Sequence, residues 1–540
     1  MNFEIIKKEI EDGRAVIGIE FGSTRIKAVL TASDGRPAAA GSYQWENRLE
    51  DGFWTYSLED IWIGLQTCYQ SLAGDVEKKY GIHLKRAAAI GISAMMHGYM
   101  AFDSDGQLLV PFRTWRNTNT AQAAKKLTAL FGCNIPQRWS IAHLYQAVLN
   151  GEEHLGRLDY MTTLAGYVHW KLSGQKVLGI GDASGMFPVD SETKNYRSDM
   201  MKSFDDIDQV HAMDMHIEKL LPKVLTAGQC AGALTEEGAR LLDISGNLEP
   251  GALMCPPEGD AGTGMTATNS VAVRTGNVSA GTSVFAMVVL EKPLSKLYEA
   301  IDMVTTPSGE PVAMVHCNNC TSDINAWAGL FDEVLAAFGL NVDQNLLFET
   351  LYQKAASGEK DGGGLLSYGY YSGEPVTGFE SGCPLFVRSP QGRLNLANFM
   401  RTHIYGALGA LSTGMEILFD EHVGIDRMTG HGGLFKTPMI GQQIMSAAVK
   451  APVTVMQTAG EGGAWGIGLL ALYMLDAAGE ESLDTYLNRK IFSDTDGVTV
   501  TASEEERLGF DAFMRSYKKG LAIERAAVET KWQDKTLKEC

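Results

Sequence analysis

The chain has 540 residues, 45% hydrophobic and 21% charged, with a formal net charge of −19. A single core stops growing near roughly 250–300 residues, so more than one domain is expected. The acidic balance argues against a nucleic-acid partner, and no apolar run is long enough to span a bilayer, so a soluble cytoplasmic protein is expected.

Met1 to Ile10 is a short charged amphipathic stretch without the apolar core of a signal peptide. Ala15 to Glu20 then reads as a buried strand, Phe21-Gly22-Ser23-Thr24 as a turn and Arg25 to Leu30 as the returning strand. Asp34-Gly35 turns the chain again, and Ala38 to Trp45 supplies a third strand. Glu20, Gly22, Ser23 and Thr24 therefore share a hairpin tip. It is either an ordinary turn or one that wraps the phosphates of ATP while its carboxylate orients a hydrated Mg²⁺. Leu58 to Tyr80 has helical spacing, with Ile61, Leu65, Tyr69 and Leu72 near one face. Ala87 to Ser93 reads as a strand running into Met95-Met96-His97-Gly98, and strand ends are where α/β sheets present ligand groups. His97 there is either a substrate contact or a satisfied structural histidine. Trp115-Arg116-Asn117 offers an aromatic face and polar tips suited to a sugar, or else anchors a loop. Leu164 to Ser173 reads as a helix stopped by Gly174, and Gly181 to Gly185 as a polar turn in which Asp182 caps or orders a pocket.

The stretch Pro256-Pro257-Glu258-Gly259-Asp260-Ala261-Gly262 places one carboxylate among glycines, a candidate proton acceptor for an attacking hydroxyl. Gly281-Thr282-Ser283, between Asn277-Val278 and Val284 to Val289, repeats the first hairpin turn. The repetition suggests a duplicated fold with two phosphate loops facing across a cleft. Val312 to His316 reads as a strand and Ile324 to Phe338 as a helix, with Asp323 at their junction, where an N-cap is one reading. Cys317 and Cys320 have metal-pair spacing, but no second pair accompanies them, so packing is favoured. Asn398 to Phe419 reads as one long helix containing Gly406, Gly409 and Gly414. Gly430-His431-Gly432-Gly433 forms a turn, Thr437-Pro438 precedes a helix to Val449, and Gly460 to Gly466 opens an apolar helix over Ile467 to Leu475. Residues after about 480 are charged and less patterned, and read as a helical appendage.

Taken in order, Ile17 to Thr24, Ile92 to Gly98, Thr114 to Asn117, Gly181 to Ser184, Gly259 to Gly262, Gly281 to Ser283 and Gly430 to Gly433 resemble the motifs of the FGGY carbohydrate kinases, within the actin/hexokinase/heat-shock ATPase superfamily. The resemblance implies an α/β fold of two ribonuclease-H-like domains flanking a cleft. They would span residues 15–271 and 272–480, with a leader at 1–14 and the appendage at 481–540. It implies Asp260 as general base toward the sugar, and Gly22, Ser23 and Thr24 with Gly281, Thr282 and Ser283 as the phosphate loops. Gly432 and Gly433 would form the adenosine turn, and Met96, His97, Trp115, Arg116, Asn117 and Asp323 the sugar contacts. Glu20 and Asp260 would hold Mg²⁺. The expected partners are ATP and a small sugar, with no nucleic acid and no membrane; a homodimer stays open. The whole-chain pattern looks most similar to a bacterial branch acting on L-ribulose in arabinose use. D-xylulose, another sugar or polyol, and a superfamily ATPase or sugar-binding regulator are the alternatives. Two departures stand out: Glu20 where the family usually has Asp, and Trp115-Arg116-Asn117 where Trp-Asn-Asp is usual.

Overall fold

The structure is a computed structural model that describes residues 3–437, 439–456, 462–477, 479–493 and 497–530. After an N-terminal helix, α1 (Phe3–Glu11), apolar alternation builds an antiparallel meander of β1 (Val16–Phe21), β2 (Arg25–Thr31) and β3 (Pro37–Gln44). The long helix α2 (Leu58–Tyr80) starts at a capping box between Ser57 and Asp60 and stops at left-handed Gly81. It lies across the meander because Gly41 of β3 has no side chain: a Cβ there would sit 2.3 Å from the Leu72 amide nitrogen. The chain then returns through β4 (Ala89–Ala94), parallel to β1, and β5 (Leu253–Met254), parallel to β4. The sheet order is β5-β4-β1-β2-β3. Glu258–Gly259 also pairs with the end of β4, and the helix α3 (Asp260–Ala267) leaves directly from it, so Asp260 occupies the first helical position.

The second half repeats this plan. β6 (Thr275–Ala280), β7 (Val284–Val289), β8 (Asp302–Thr305), β9 (Pro311–Cys317), β10 (Arg427–His431), β11 (Val453–Met456) and β12 (Gly497–Val500) form one sheet in the order β8-β9-β7-β6-β10-β11-β12. The antiparallel set β6, β7, β9 followed by parallel β10 reproduces β1, β2, β3 and β4. Period-two alternation divides its faces. Val278, Ala286, Val288, Ala313 and Val315 enter the second core, whereas Met287 and Met314 belong to the core of the first half.

Four expected features differ in the structure. The segment Asn398 to Phe419 is two helices, α4 (Leu396–Ala407) and α5 (Gly409–Asp420), broken at Leu408. Its glycines serve close packing: a Cβ on Gly406 would lie 2.5 Å from the Ser367 carbonyl, and one on Gly409 would lie 2.4 Å from the Tyr517 ring. The apolar helix α6 (Gly462–Asp476), within the residues 272–480 expected for the second domain, packs on the sheet of the first half. A Cβ on Gly18 of β1 would lie 1.9 Å from the Ala464 carbonyl, and one on Gly466 would lie 2.0 Å from the Thr263 carbonyl of α3. Gly460 and Glu461, expected to open this helix, lie outside the described residues, as does Pro438. The tail is integral rather than appended: β12 pairs with β11, and helix α7 (Glu504–Thr530) buries Phe510, Phe513, Met514 and Tyr517 in the second core. The expected turn at residues 181–185 begins as a buried single helical turn, Ile180–Ala183. Among the described residues no helix is long and apolar enough to cross a membrane.

Candidate active site

The two halves face each other across a cavity of about 360 Å³. Glu20 and Ser23 reach it from the β1–β2 hairpin, Met96 and His97 from the end of β4, Asp260 and Gly264 from α3, and Ser283, Phe285 and His316 from the second sheet. Asp260 is fixed at the floor by the Met96 amide, which donates to Oδ1 at 3.1 Å. One turn on, the hydroxyls of Thr263 and Ser93 are 2.9 Å apart, tying α3 to β4. The Asp260 side chain opens into the cleft, yet the surrounding protein desolvates it enough to raise its pKa above the usual carboxylate value.

Two further carboxyls lie beneath it. Glu258 is buried, and its carboxylate fills a cradle that only glycine permits: a Cβ on Gly179 or Gly181 would lie within 2.3 to 2.4 Å of its oxygens. It accepts the amides of Gly181 at 3.3 Å and Asp182 at 2.9 Å. Asp182 is fully buried; its Oδ2 accepts the Thr163 hydroxyl at 2.6 Å, while Oδ1 has no partner among the described residues. Burial pushes Glu258 up to about 8, helped by the charge of Asp182, and pushes Asp182 to about 8, helped by Asp260. Asp182 is thus a core carboxyl beside the site, its side chain held by Thr163.

Glu20 is pushed up to about 7, by burial first and the charge of Asp260 second, although the Ala464 amide donates to it at 3.3 Å. Two mutually repelling carboxyls at one spot suit a hard divalent cation. Among the described residues no cluster of three or more metal-binding side chains exists, so a cation here would also need water or phosphate oxygens, a donor set that suits Mg²⁺.

Each hairpin tip is closed by the amide of its glycine, over three residues in the first and two in the second. The Gly22 amide donates to the Arg25 carbonyl at 3.0 Å, and the Gly281 amide to the Ser283 carbonyl at 2.9 Å. Ser23 and Ser283 line the cavity, while Thr24 and Thr282 are exposed beside it. The Cys317 to Cys320 turn buttresses the second tip: the Cys320 amide donates to the Thr282 carbonyl at 2.9 Å, and the Thr321 hydroxyl to the Gly281 carbonyl at 2.8 Å. Both cysteines are buried and their thiols shifted up by burial, as packing residues are.

The expected sugar contacts divide. Met96, His97 and Trp115 line the cavity. His97 sits at φ 69, a left-handed backbone that costs a non-glycine residue energy; its Nδ1 is 3.2 Å from the Gly185 carbonyl, and burial lowers its pKa so that the ring stays neutral. The Trp115 indole N–H donates to the Ser23 hydroxyl at 3.2 Å, linking the aromatic loop to the first hairpin tip. Arg116, by contrast, is exposed outside the cavity, its guanidinium 3.9 Å from the Trp54 ring centroid and bonded to Asn47 at 2.8 Å. Asn117 is buried as a loop staple: it accepts the Trp54 amide at 2.8 Å and donates to the Trp54 and Thr114 carbonyls. Asp323 is also withdrawn, buried within the second half against His403 Nδ1 at 2.9 Å. The side chains of these three are committed away from the central cavity. Gly432 and Gly433 follow β10 on the exposed rim, where Gly432 adopts φ 103 and a Cβ would lie 2.4 Å from the Ala280 carbonyl.

Arg138, Asn277, Phe285 and His316 also line the cavity and were not anticipated. Strand alternation points Phe285 and His316 inward from register-paired positions on β7 and β9. Arg138 lies in a short inter-helix loop that carries no motif.

Residues 15–247 match the N-terminal domain and residues 276–475 the C-terminal domain of the FGGY family of carbohydrate kinases. A xylulose kinase of Haemophilus influenzae is 21% identical over 413 residues, covering 74% of this chain and 79% of the relative. Among solved structures, a ligand-bound xylulose kinase from Lactobacillus acidophilus superposes with a TM-score of 0.77 at 17% identity, over 96% of this chain and all of the other. A glycerol kinase from Plasmodium falciparum with ADP superposes at 0.72 and 13% identity, over 96% and 99%. The curated relatives are named for xylulose rather than for the L-ribulose expected above. The chain belongs to the FGGY family of carbohydrate kinases and is an ATP-dependent sugar kinase.

Proposed function

We propose that the chain transfers the γ-phosphoryl group of ATP to a hydroxyl of a ketopentose, with Asp260 as general base. The observation that carries this is the position of Asp260. It opens into the cleft between two matching hairpin tips, within one hydrogen bond of the Met96-His97 loop, and its desolvation raises its basicity. As the sugar oxygen attacks phosphorus, its proton passes to the Asp260 carboxylate, the new oxygen–phosphorus bond forms, and the bond to the ADP oxygen breaks. Gly22, Ser23 and Thr24 face the phosphates from one side and Gly281, Thr282 and Ser283 from the other. Gly432 and Gly433 receive the adenosine, and Met96, His97 and Trp115 bound the sugar. Glu20 and Asp260 would hold Mg²⁺, which neutralises phosphate charge when bound. The named relatives favour D-xylulose over L-ribulose, and the reaction belongs in the cytoplasm.

ADP release over a panel of ketoses, aldoses and polyols tests the reading; no release with any acceptor would refute it. Asp260→Asn should lower kcat by about 10²- to 10⁴-fold while ATP still binds. Wild-type-like turnover in that variant would remove Asp260 as the base.

A further inference from the structure

Arg138 follows helix Ala121–Phe131 and directly precedes Trp139 and helix Ser140–Asn150. Its carbonyl accepts the Gly98 amide at 3.3 Å, so its loop is pinned to the residue after His97. The side chain lines both the sugar cavity and the wide groove outside it. From there its Nη2 pairs with Asp302, the first residue of β8, in the other half of the molecule. Asn134, from the same loop, holds the second oxygen of Asp302 at 2.9 Å and reaches the carbonyls of Glu299 and Ile301 at 3.3 Å each. A cation–carboxylate bridge therefore joins the halves at the cavity rim. His97 from the first half and His316 from the second lie close enough that the Arg138 charge adds to burial in keeping both imidazoles neutral.

Among the described residues the guanidinium donates to Asp302 through Nη2, which leaves the other donors of its planar fork, and Arg138 also lines the cavity. Such a fork suits a pair of adjacent oxygen acceptors. When a sugar presents its reacting hydroxyl to Asp260, its other oxygens remain to be read by the cavity wall. We propose that Arg138 is a specificity-determining residue: its guanidinium donates to the carbonyl and neighbouring hydroxyl oxygens at the non-reacting end of a ketose, and its bridge to Asp302 couples that contact to the apposition of the two halves. The proposal rests on the sugar-kinase reading above. A carbonyl oxygen is an acceptor only, matched to a group that is a donor only. The corresponding polyol brings a hydroxyl proton and tetrahedral geometry to the same place, so it fits less well.

Binding and turnover can be read separately on the full chain. Intrinsic fluorescence, with Trp115 in the cavity and Trp139 beside Arg138, follows binding of D-xylulose, L-ribulose, xylitol and ribitol without ATP. Coupled ADP release gives KM for acceptor and for ATP. Arg138→Met should weaken ketopentose binding by about tenfold or more and erase the preference over the matching polyol, with KM for ATP unchanged. Arg138→Lys, which keeps the charge but not the fork, should recover part of the affinity and little of the preference. Asp302→Asn should also raise the acceptor KM, and the Arg138→Met/Asp302→Asn double variant should be less than additive. Unchanged ketopentose affinity in Arg138→Met would overturn the proposal. So would an equal fall for ketose and polyol accompanied by a lower Tm, or the failure of every ketopentose to bind the wild type. Binding that depends on Arg138 without any ADP release would instead refute the kinase reading alone.

Discussion

Glu258, Asp182 and Asp260 illustrate how little a residue type says until its surroundings are known. Glu258 is met by two backbone amides in a cradle cleared by Gly179 and Gly181, yet the desolvation still dominates. Its pKa of about 8 in the folded chain lies above the ordinary 4.5, and that of Asp182, about 8, lies above 3.8. Between these values the folded chain keeps protons that the unfolded chain releases, so stability falls as pH rises through the window. Glu258→Gln, which cannot ionise, should flatten the decline of Tm between about pH 5 and 8 in calorimetry; a slope equal to wild type would contradict the assignment. Asn117 and Asp323, expected at the sugar, are engaged elsewhere at this same scale. An amide or carboxylate that would suit a sugar also suits a loop staple or a buried imidazole, and only the neighbours Trp54 and His403 decide between them.

At the scale of elements, α7 is legible as a helix but not as a core element, because charged residues are interspersed among its apolar ones. Its place is set by Glu506, buried with Arg401, whose Nη1 lies 2.7 Å from Glu506 Oε2. Lys360 pairs with the same carboxylate, and Arg401 also donates to the Ala355 and Ala356 carbonyls at 2.9 and 3.0 Å. Removing one member of a buried pair leaves the other charge uncompensated, at a cost of about 3–5 kcal/mol. Glu506→Ala should therefore lower the denaturant midpoint strongly, and the Arg401→Met/Glu506→Ala double variant should recover part of the loss. An additive double variant would argue that the pair does not hold α7. The break between α4 and α5 has the same origin: helical periodicity continues through Leu408, but Tyr517 of α7 claims the space over Gly409.

Across the whole molecule, two sheets of matching order face one cleft, and the chain crosses back to the first sheet through α6 after completing most of the second. The Lys194 ammonium, 3.0 Å from Glu310, and the Arg138–Asp302 pair are polar links between halves, of the kind that a hinged closure can make and break. Adding acceptor together with a non-hydrolysable ATP analogue should reduce the radius of gyration in small-angle scattering, and Asp302→Asn should shrink that contraction. An unchanged radius would indicate that the cleft does not close.

The strand alternation, the turn glycines and the spacing of the ordered motifs determined from sequence alone that two similar α/β halves would carry hairpin tips toward one cleft, with the Asp260 carboxylate among glycines beside it. These are local properties, written in periods of two and in positions that only glycine can fill. Tertiary structure decided what local pattern cannot carry. It set which half receives α6, whether the charged tail is buried, and which polar side chains turn toward the cavity rather than into a loop. Arg138 shows the reason most clearly: its significance comes from Asp302, 164 residues away in sequence, and a bridge of that span leaves no periodic trace in the chain.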